Sequence, residues 1–340
     1  MNTKKEKRKG SEVSVTGTVP ADAIQKKRNA TIQRIQKEMV LPGFRRGKVP
    51  LERVIQEVGE KSLWREAAEA ALKEELDAIL KEHGVVPVMP IGASLNAGEA
   101  GADVPFEIIA VVAPTCTVSG YKETAATAIA QLPKLDEEKE KAAALEALRK
   151  QARGMSQSSG DLSAQAGGPL TDEEAKKLGL ENGATAELFL VEEAARAVRE
   201  HELQKKRGAI AGELLKKGAC DIARVFIMDE AGALLDATKK DIARQGVPWN
   251  EYLKRSGKTE DDIVKELEGP AEKRVALDII FGEIARTEEV KPDEKEEERL
   301  AHALVGQDVN HETAHRYVRA TMLREKVWEL LGAKSSGAVS

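Results

Sequence analysis

A chain of 340 residues, 41% hydrophobic and 33% charged, is globular in composition and long enough for more than one core. Its net charge of -5 excludes a general nucleic-acid binder, so any contact with nucleic acid must be local. Cys116 and Cys220 offer no disulfide framework and read as lone thiols, and no apolar run reaches membrane-span length, which points to a cytoplasmic protein with no membrane partner.

In chain order, Met1 to Gly10 carries Lys4, Lys5, Lys7, Arg8 and Lys9, a run of like charge that reads as a solvated, flexible basic tail. Residues 11–18 alternate around Val13 and Val15 as a short strand. Val19-Pro20 opens a helix whose buried face is marked by Ile24, Ile32, Ile35 and Met39. A loop from Gly43 to Pro50 follows, then a short helix from Leu51. The stripe Trp64, Ala68, Leu72, Leu76, Ile79 predicts a longer helix over Lys61–His83, ended by Gly84. Two strands, Val85–Leu95 and Val104–Val112, close the unit, so residues 11–118 are expected to form an α+β domain: a helical hairpin on a small antiparallel sheet.

Beyond it the pattern is helical. Helices are predicted over Asp136–Arg153, from Thr171 with Glu174 completing a capping box, and over Ala184–Lys217, Met228–Gln245, Pro248–Arg255, Thr259–Thr287, Pro292–Leu304 and Val309–Leu331. Pro270, after Gly269, should break or kink the helix it falls in. Residues 154–168, rich in Ser, Gly, Gln and Ala, read as a flexible linker between helical segments 119–153 and 169–333, and residues 334–340 as a frayed tail.

The chemistry concentrates in Gly43-Phe44-Arg45-Arg46-Gly47-Lys48. Glycines bracket an aromatic ring and three cations between two helices. Guanidinium groups bind phosphate bidentately, while an exposed ring seeks an apolar pocket, a combination suited to docking on a ribonucleoprotein. His311-Glu312-Thr313-Ala314-His315 is a rival signal, because His-Glu-x-x-His on a helix aligns two imidazoles for zinc. It lacks a third ligand, since Glu325 and Glu329 lie along the same helix; Asn310 reads instead as a helix N-cap. Ser256-Gly257-Lys258-Thr259 is no phosphate loop: Tyr252 stands where the pattern needs glycine, and Thr259 with Asp262 makes a capping box. No nucleophile–base arrangement stands out.

Pro42-Gly-Phe-Arg-Arg-Gly-Lys-Val-Pro50 resembles the ribosome-docking signature of the bacterial trigger factor family, in that family's order of elements. Ala175–Gly179, Ala271–Val275, Ile284–Arg286 and Leu323–Val327 are similar to segments of its C-terminal part. The resemblance implies an α+β ribosome-binding domain followed by a mainly α-helical, arm-bearing chaperone domain. It implies an ATP-independent chaperone without cofactor or metal, docking at the ribosomal exit tunnel through Gly43, Phe44, Arg45, Arg46, Gly47 and Lys48, against an exit-tunnel protein and rRNA phosphates. Its clients would be nascent or unfolded polypeptides held in a helical cradle, for which Val198, Trp249, Tyr252 and Phe281 are candidate residues, and the free protein would form a homodimer. The family's FKBP-type prolyl isomerase domain has no counterpart here, where only residues 154–168 stand, so no enzymatic activity is expected. Two other readings are a chaperone acting off the ribosome and a zinc metallopeptidase using His311, Glu312 and His315.

Overall fold

A computed structural model of the chain describes residues 2–96, 99–156, 168–177, 179–305 and 310–335. Its elements are β1 (Thr3–Arg8), β2 (Glu12–Val19), α1 (Ala21–Glu38), α2 (Leu51–Val58), α3 (Glu60–Glu82), β3 (Gly92–Leu95), β4 (Val104–Val111), β5 (Thr115–Thr117), α4 (Tyr121–Ala130) and α5 (Glu137–Ser156). These are followed by α6 (Asp172–Lys177), α7 (Gly183–Lys217), β6 (Ala219–Asp221), α8 (Arg224–Arg244), α9 (Trp249–Ser256), α10 (Glu260–Thr287), α11 (Glu294–Leu304) and α12 (His311–Leu330). Contacts divide the chain into one unit of residues 1–115 and 220–275 and another of residues 116–219 and 276–340.

In the first unit, an antiparallel sheet has the strand order β1-β2-β4-β3. Two-residue periodicity along β4 turns Val104, Phe106, Ile108 and Ala110 to one face, where Val13, Val15 and Val19 of β2 join them. Helices α1 and α3 cover that face with Ile24, Trp64, Ala68, Leu72 and Ile79, and the Trp64 indole N–H donates to the Ala102 carbonyl at 2.9 Å. A second, smaller core of Ile32, Val49, Val54 and Leu63 closes the far end of the helical hairpin. Ion pairs Lys27–Glu74, Arg28–Glu60 and Arg34–Glu66 staple α1 to α3. Gly17 of β2 is required by close approach: a Cβ there would lie 2.7 Å from the Phe106 ring and 2.9 Å from the Asn2 carbonyl oxygen.

Four expectations need correction. The basic start is not a tail: residues 3–8 pair with β2 as an edge strand, Lys5 opposite Val15, and lysines are the side chains that such an exposed edge tolerates. The predicted strand over 85–95 shrinks to β3, because Pro87 and Pro90 cannot donate to the ladder; Pro87 forms only an isolated bridge with Val112. Pro270 does not break its helix, the first of the two outcomes expected of it: α10 is continuous from Glu260 to Thr287. Neither Cys116 nor Cys220 is a free thiol.

In the second unit α7 is the spine, with α4, α5 and α6 packed along it. Ala186, Leu190, Ala194 and Val198 recur every four residues on its buried face. Near its start a compact set of Ala152, Leu170, Ala175, Ala186 and Leu190 is fastened by Arg149–Glu187 and Arg153–Glu174. Arg207, further along, chelates Glu325 of α12 with both guanidinium nitrogens, lies 5.2 Å over the Trp328 ring, and Trp328 meets Phe281 edge-on at 4.6 Å. Helix α4 was not anticipated, since Thr and Ala give it no apolar stripe. The capping boxes at Thr171/Glu174 and Thr259/Asp262 form as expected. Residues 157–167, the bulk of the predicted linker, lie outside the described residues, as do residues 336–340 of the expected C-terminal tail.

Candidate functional site

The loop between α1 and α2 is built from two successive turns. Met39 leaves α1 with its N–H still bonded to the Ile35 carbonyl. Gly43 and Gly47 have φ of +87° and +75°, values that side-chain-bearing residues resist. They let Phe44 N–H donate to the Leu41 carbonyl at 3.1 Å and Lys48 N–H to the Arg45 carbonyl at 2.9 Å. Val49 then inserts, fully buried, beside Ile32, Val54 and Leu63, and its carbonyl accepts from Gln36 Nε2 at 2.5 Å. The foot of the loop is thus part of a core, while its tip is held in solvent.

That tip places Phe44, Arg45, Arg46 and Lys48 together, all exposed, with Phe44 showing 40% of its surface. Among the described residues, Arg45, Arg46 and Lys48 have no ion-pair partner. Three uncompensated cations around an aromatic ring, on an acidic protein, form a local binding surface for an anionic partner with an apolar recess. Val40 and Leu51, 73% and 44% exposed, extend its apolar part. Their signal in the sequence was that both flank the loop without joining the buried stripe of either helix.

The four candidate client residues separate. Val198, on the buried stripe of α7, and Phe281, against the Trp328 ring, are buried in the second unit. Trp249 and Tyr252, in the first unit, are half-buried and stacked at 5.3 Å. The Trp249 indole N–H donates to Glu260 at 2.8 Å, and Lys239 lies 5.4 Å over its ring. Hydrogen bonds from Lys239 and from Trp249 hold the Glu260 carboxyl below its ordinary range.

Apolar side chains left exposed in the second unit lie elsewhere. Leu188, Phe189 and Val191 sit on α7 off its buried four-residue repeat. Leu304 and Tyr317, 45% and 65% exposed, belong to a groove of about 470 Å³ between α11 and α12, walled also by Leu300, Ala303, Val318 and Met322. The repeat itself could have revealed the α7 trio, which interrupts it with large residues on the wrong face. His311 and His315 open α12 as expected, with Asn310 capping it through a 2.8 Å bond from Thr313 N–H. Among the described residues, no helix is long and apolar enough to cross a membrane.

A family model described as bacterial trigger factor protein (TF) matches residues 1–148, and the model of its C-terminus matches residues 188–333. The trigger factor of Staphylococcus saprophyticus is 32% identical over 117 residues, 34% of this chain and 27% of that protein. That of Exiguobacterium sibiricum is 30% identical over 129 residues, 38% of this chain and 30% of that protein. The aligned stretch therefore spans less than a third of the length of these relatives. A solved structure from work on promiscuous substrate recognition in folding and assembly activities of the trigger factor chaperone aligns over 97% of this chain and 99% of its own. Its TM-score is 0.56 at 14% identity, a likeness of fold.

Proposed function

The chain belongs to the bacterial trigger factor family, and on that premise we propose that it is an ATP-independent, ribosome-associated chaperone of the cytoplasm. Residues 43–48 dock at the ribosomal exit, where Arg45, Arg46 and Lys48 meet rRNA phosphates and acidic side chains of an exit-tunnel protein while Phe44 fills an apolar recess. The observation that carries this reading is a ring and three unpaired cations held in solvent by two positive-φ glycines. Emerging chain is shielded by exposed apolar surface: the α11–α12 groove, Leu188, Phe189 and Val191 on α7, and the Trp249–Tyr252 stack. Each contact is weak, but docking raises the effective concentration of client at that surface. Release needs no hydrolysis, since a folding client buries the apolar surface that the groove competes for.

Phe44→Ala/Arg45→Ala/Lys48→Ala tests the docking assignment. The variant keeps its fold by circular dichroism, because none of the three side chains is in a core, and it no longer co-sediments with ribosomes at moderate salt. Undiminished co-sedimentation would remove these residues from the docking surface.

The interval between the two matched regions, residues 149–187, supports the reading that no isomerase domain is present. It already contains the end of α5, all of α6 and the start of α7, and is shorter than the roughly 50 residues of the smallest ordinary domains.

A further inference from the structure

We propose that Glu298, His311 and His315 form a binding site for a late first-row divalent cation of the zinc class, joining α11 to α12. The missing third ligand for the His-Glu-x-x-His stretch comes from the preceding helix. His311 and His315 are four residues apart on α12, which sets both imidazoles on one face, their ring centroids 4.5 Å apart. One donor atom from each of the two histidines and Glu298 lies within 4.8 Å of the others.

The geometry around His315 carries the assignment. Its Nδ1 is 3.3 Å from Oε1 of Glu297, whose side chain is only 12% exposed. An ionised carboxylate can only accept, so this contact sets Nδ1–H toward Glu297 and turns Nε2 toward Glu298. Nε2 is buried, makes no hydrogen bond, and faces the Glu298 carboxylate at 3.2 Å. Nε2 and that carboxylate oxygen are joined by whatever positive charge lies between them, a proton or a metal ion, and the His311 ring beside them makes the place one a metal can share. The other Glu298 oxygen is 3.9 Å from His311 Nε2. Bonds of about 2.0–2.2 Å in a tetrahedral zinc shell put adjacent donor atoms roughly 3.3 Å apart, close to the first separation and a small contraction from the second. Glu297 then takes the supporting role of a carboxylate that orients a ligating imidazole and raises its basicity. Two imidazoles with one carboxylate favour zinc and its neighbours over magnesium or calcium.

The site spans the two helices that wall the apolar groove, with Glu298 two residues from Leu300 and His315 three from Val318. A bound cation therefore clamps that hairpin. No hydrolysis is assigned to it.

The test uses the full chain, freed of any polyhistidine tag and stripped with chelator, titrated with zinc chloride by calorimetry and followed by thermal denaturation. The expected result is one zinc ion per chain and a raised melting temperature. His311→Ala, at a side chain 61% exposed and thus outside the packing, should weaken binding at least tenfold. Glu298→Gln should do the same, and Glu297→Gln should weaken it by about 10-fold or more, as loss of an outer-shell partner does. Absence of stoichiometric zinc binding to the wild type would overturn the site. Zinc bound equally well by His311→Ala and Glu298→Gln would overturn it as well.

Discussion

Gly43 and Gly17 carry different constraints, and substitution separates them. At Gly43 the backbone φ is +87° but a Cβ would meet nothing within 4 Å, so the cost of Gly43→Ala is conformational, about 1–2 kcal/mol, and falls on the loop. Ribosome affinity should drop by about 5- to 30-fold while the thermal midpoint moves little. At Gly17 the clash is with the Phe106 ring and a backbone oxygen, and Gly17→Ala should cost about 1–3 kcal/mol of global stability by urea denaturation. Asp221 is pH-sensitive in a defined direction. Backbone hydrogen bonds from Gly10 and Ser11, at the turn between β1 and β2, hold its carboxyl below the ordinary aspartate range. A depressed pKa means that the folded state favours the charged form, so the stabilisation is full above the ordinary value and is lost as pH falls through the lowered one. Asp221→Asn should therefore be less stable than wild type at pH 7, and the difference should shrink on acidification below about pH 4. A gap that is constant with pH would show that the charge plays no part.

Among the elements, the α11–α12 hairpin and the α7–α12 joint are set for opposite purposes. The joint is built for stability: removing Arg207 leaves Glu325 unpaired and uncovers the Trp328 ring, and Arg207→Ala should cost about 2–3 kcal/mol by chemical denaturation. The hairpin leaves large apolar residues in water, and Leu304→Asp/Tyr317→Asp should change stability by only about 0.5 kcal/mol while impairing suppression of aggregation of an unfolded client. Elements with a sustained stripe, such as α1, α3 and α7, were legible because burial on one face forces the periodicity. Helix α4 was hidden by an all-Thr/Ala face, and β1 by lysines that suit an edge strand and a disordered tail equally well. The loop proposed to dock was legible as an exposed ring-and-cation cluster because its glycines, ring and cations are contiguous. The exposed apolar surface was not, since residue type alone ranks Phe281 and Val198 with Tyr317, and only packing decides which of them remains in water. Glu298 was missed for a related reason: a ligand supplied by a neighbouring helix has no fixed spacing in the sequence.

At the scale of the molecule, we propose that the α1–α2 loop anchors, that the exposed apolar surfaces shield, and that no catalytic domain lies between the matched regions. A refolding reaction limited by prolyl isomerisation should therefore run at its uncatalysed rate in the presence of this protein, over tens to hundreds of seconds at 25 °C. Catalysis would place an isomerase site within the chain and contradict the reading of residues 149–187. The central claim is that Arg45, Arg46 and Lys48 hold the protein to the ribosome by contacts with phosphate, and such contacts release counterions. Ribosome affinity measured across a salt series, for wild type and Arg45→Ala/Arg46→Ala/Lys48→Ala, tests it most directly. The account predicts that the logarithm of the wild-type association constant falls with the logarithm of salt concentration, with a slope steeper than the variant's by about 2–3, roughly one counterion for each cation removed. Parallel lines of equal affinity would contradict it.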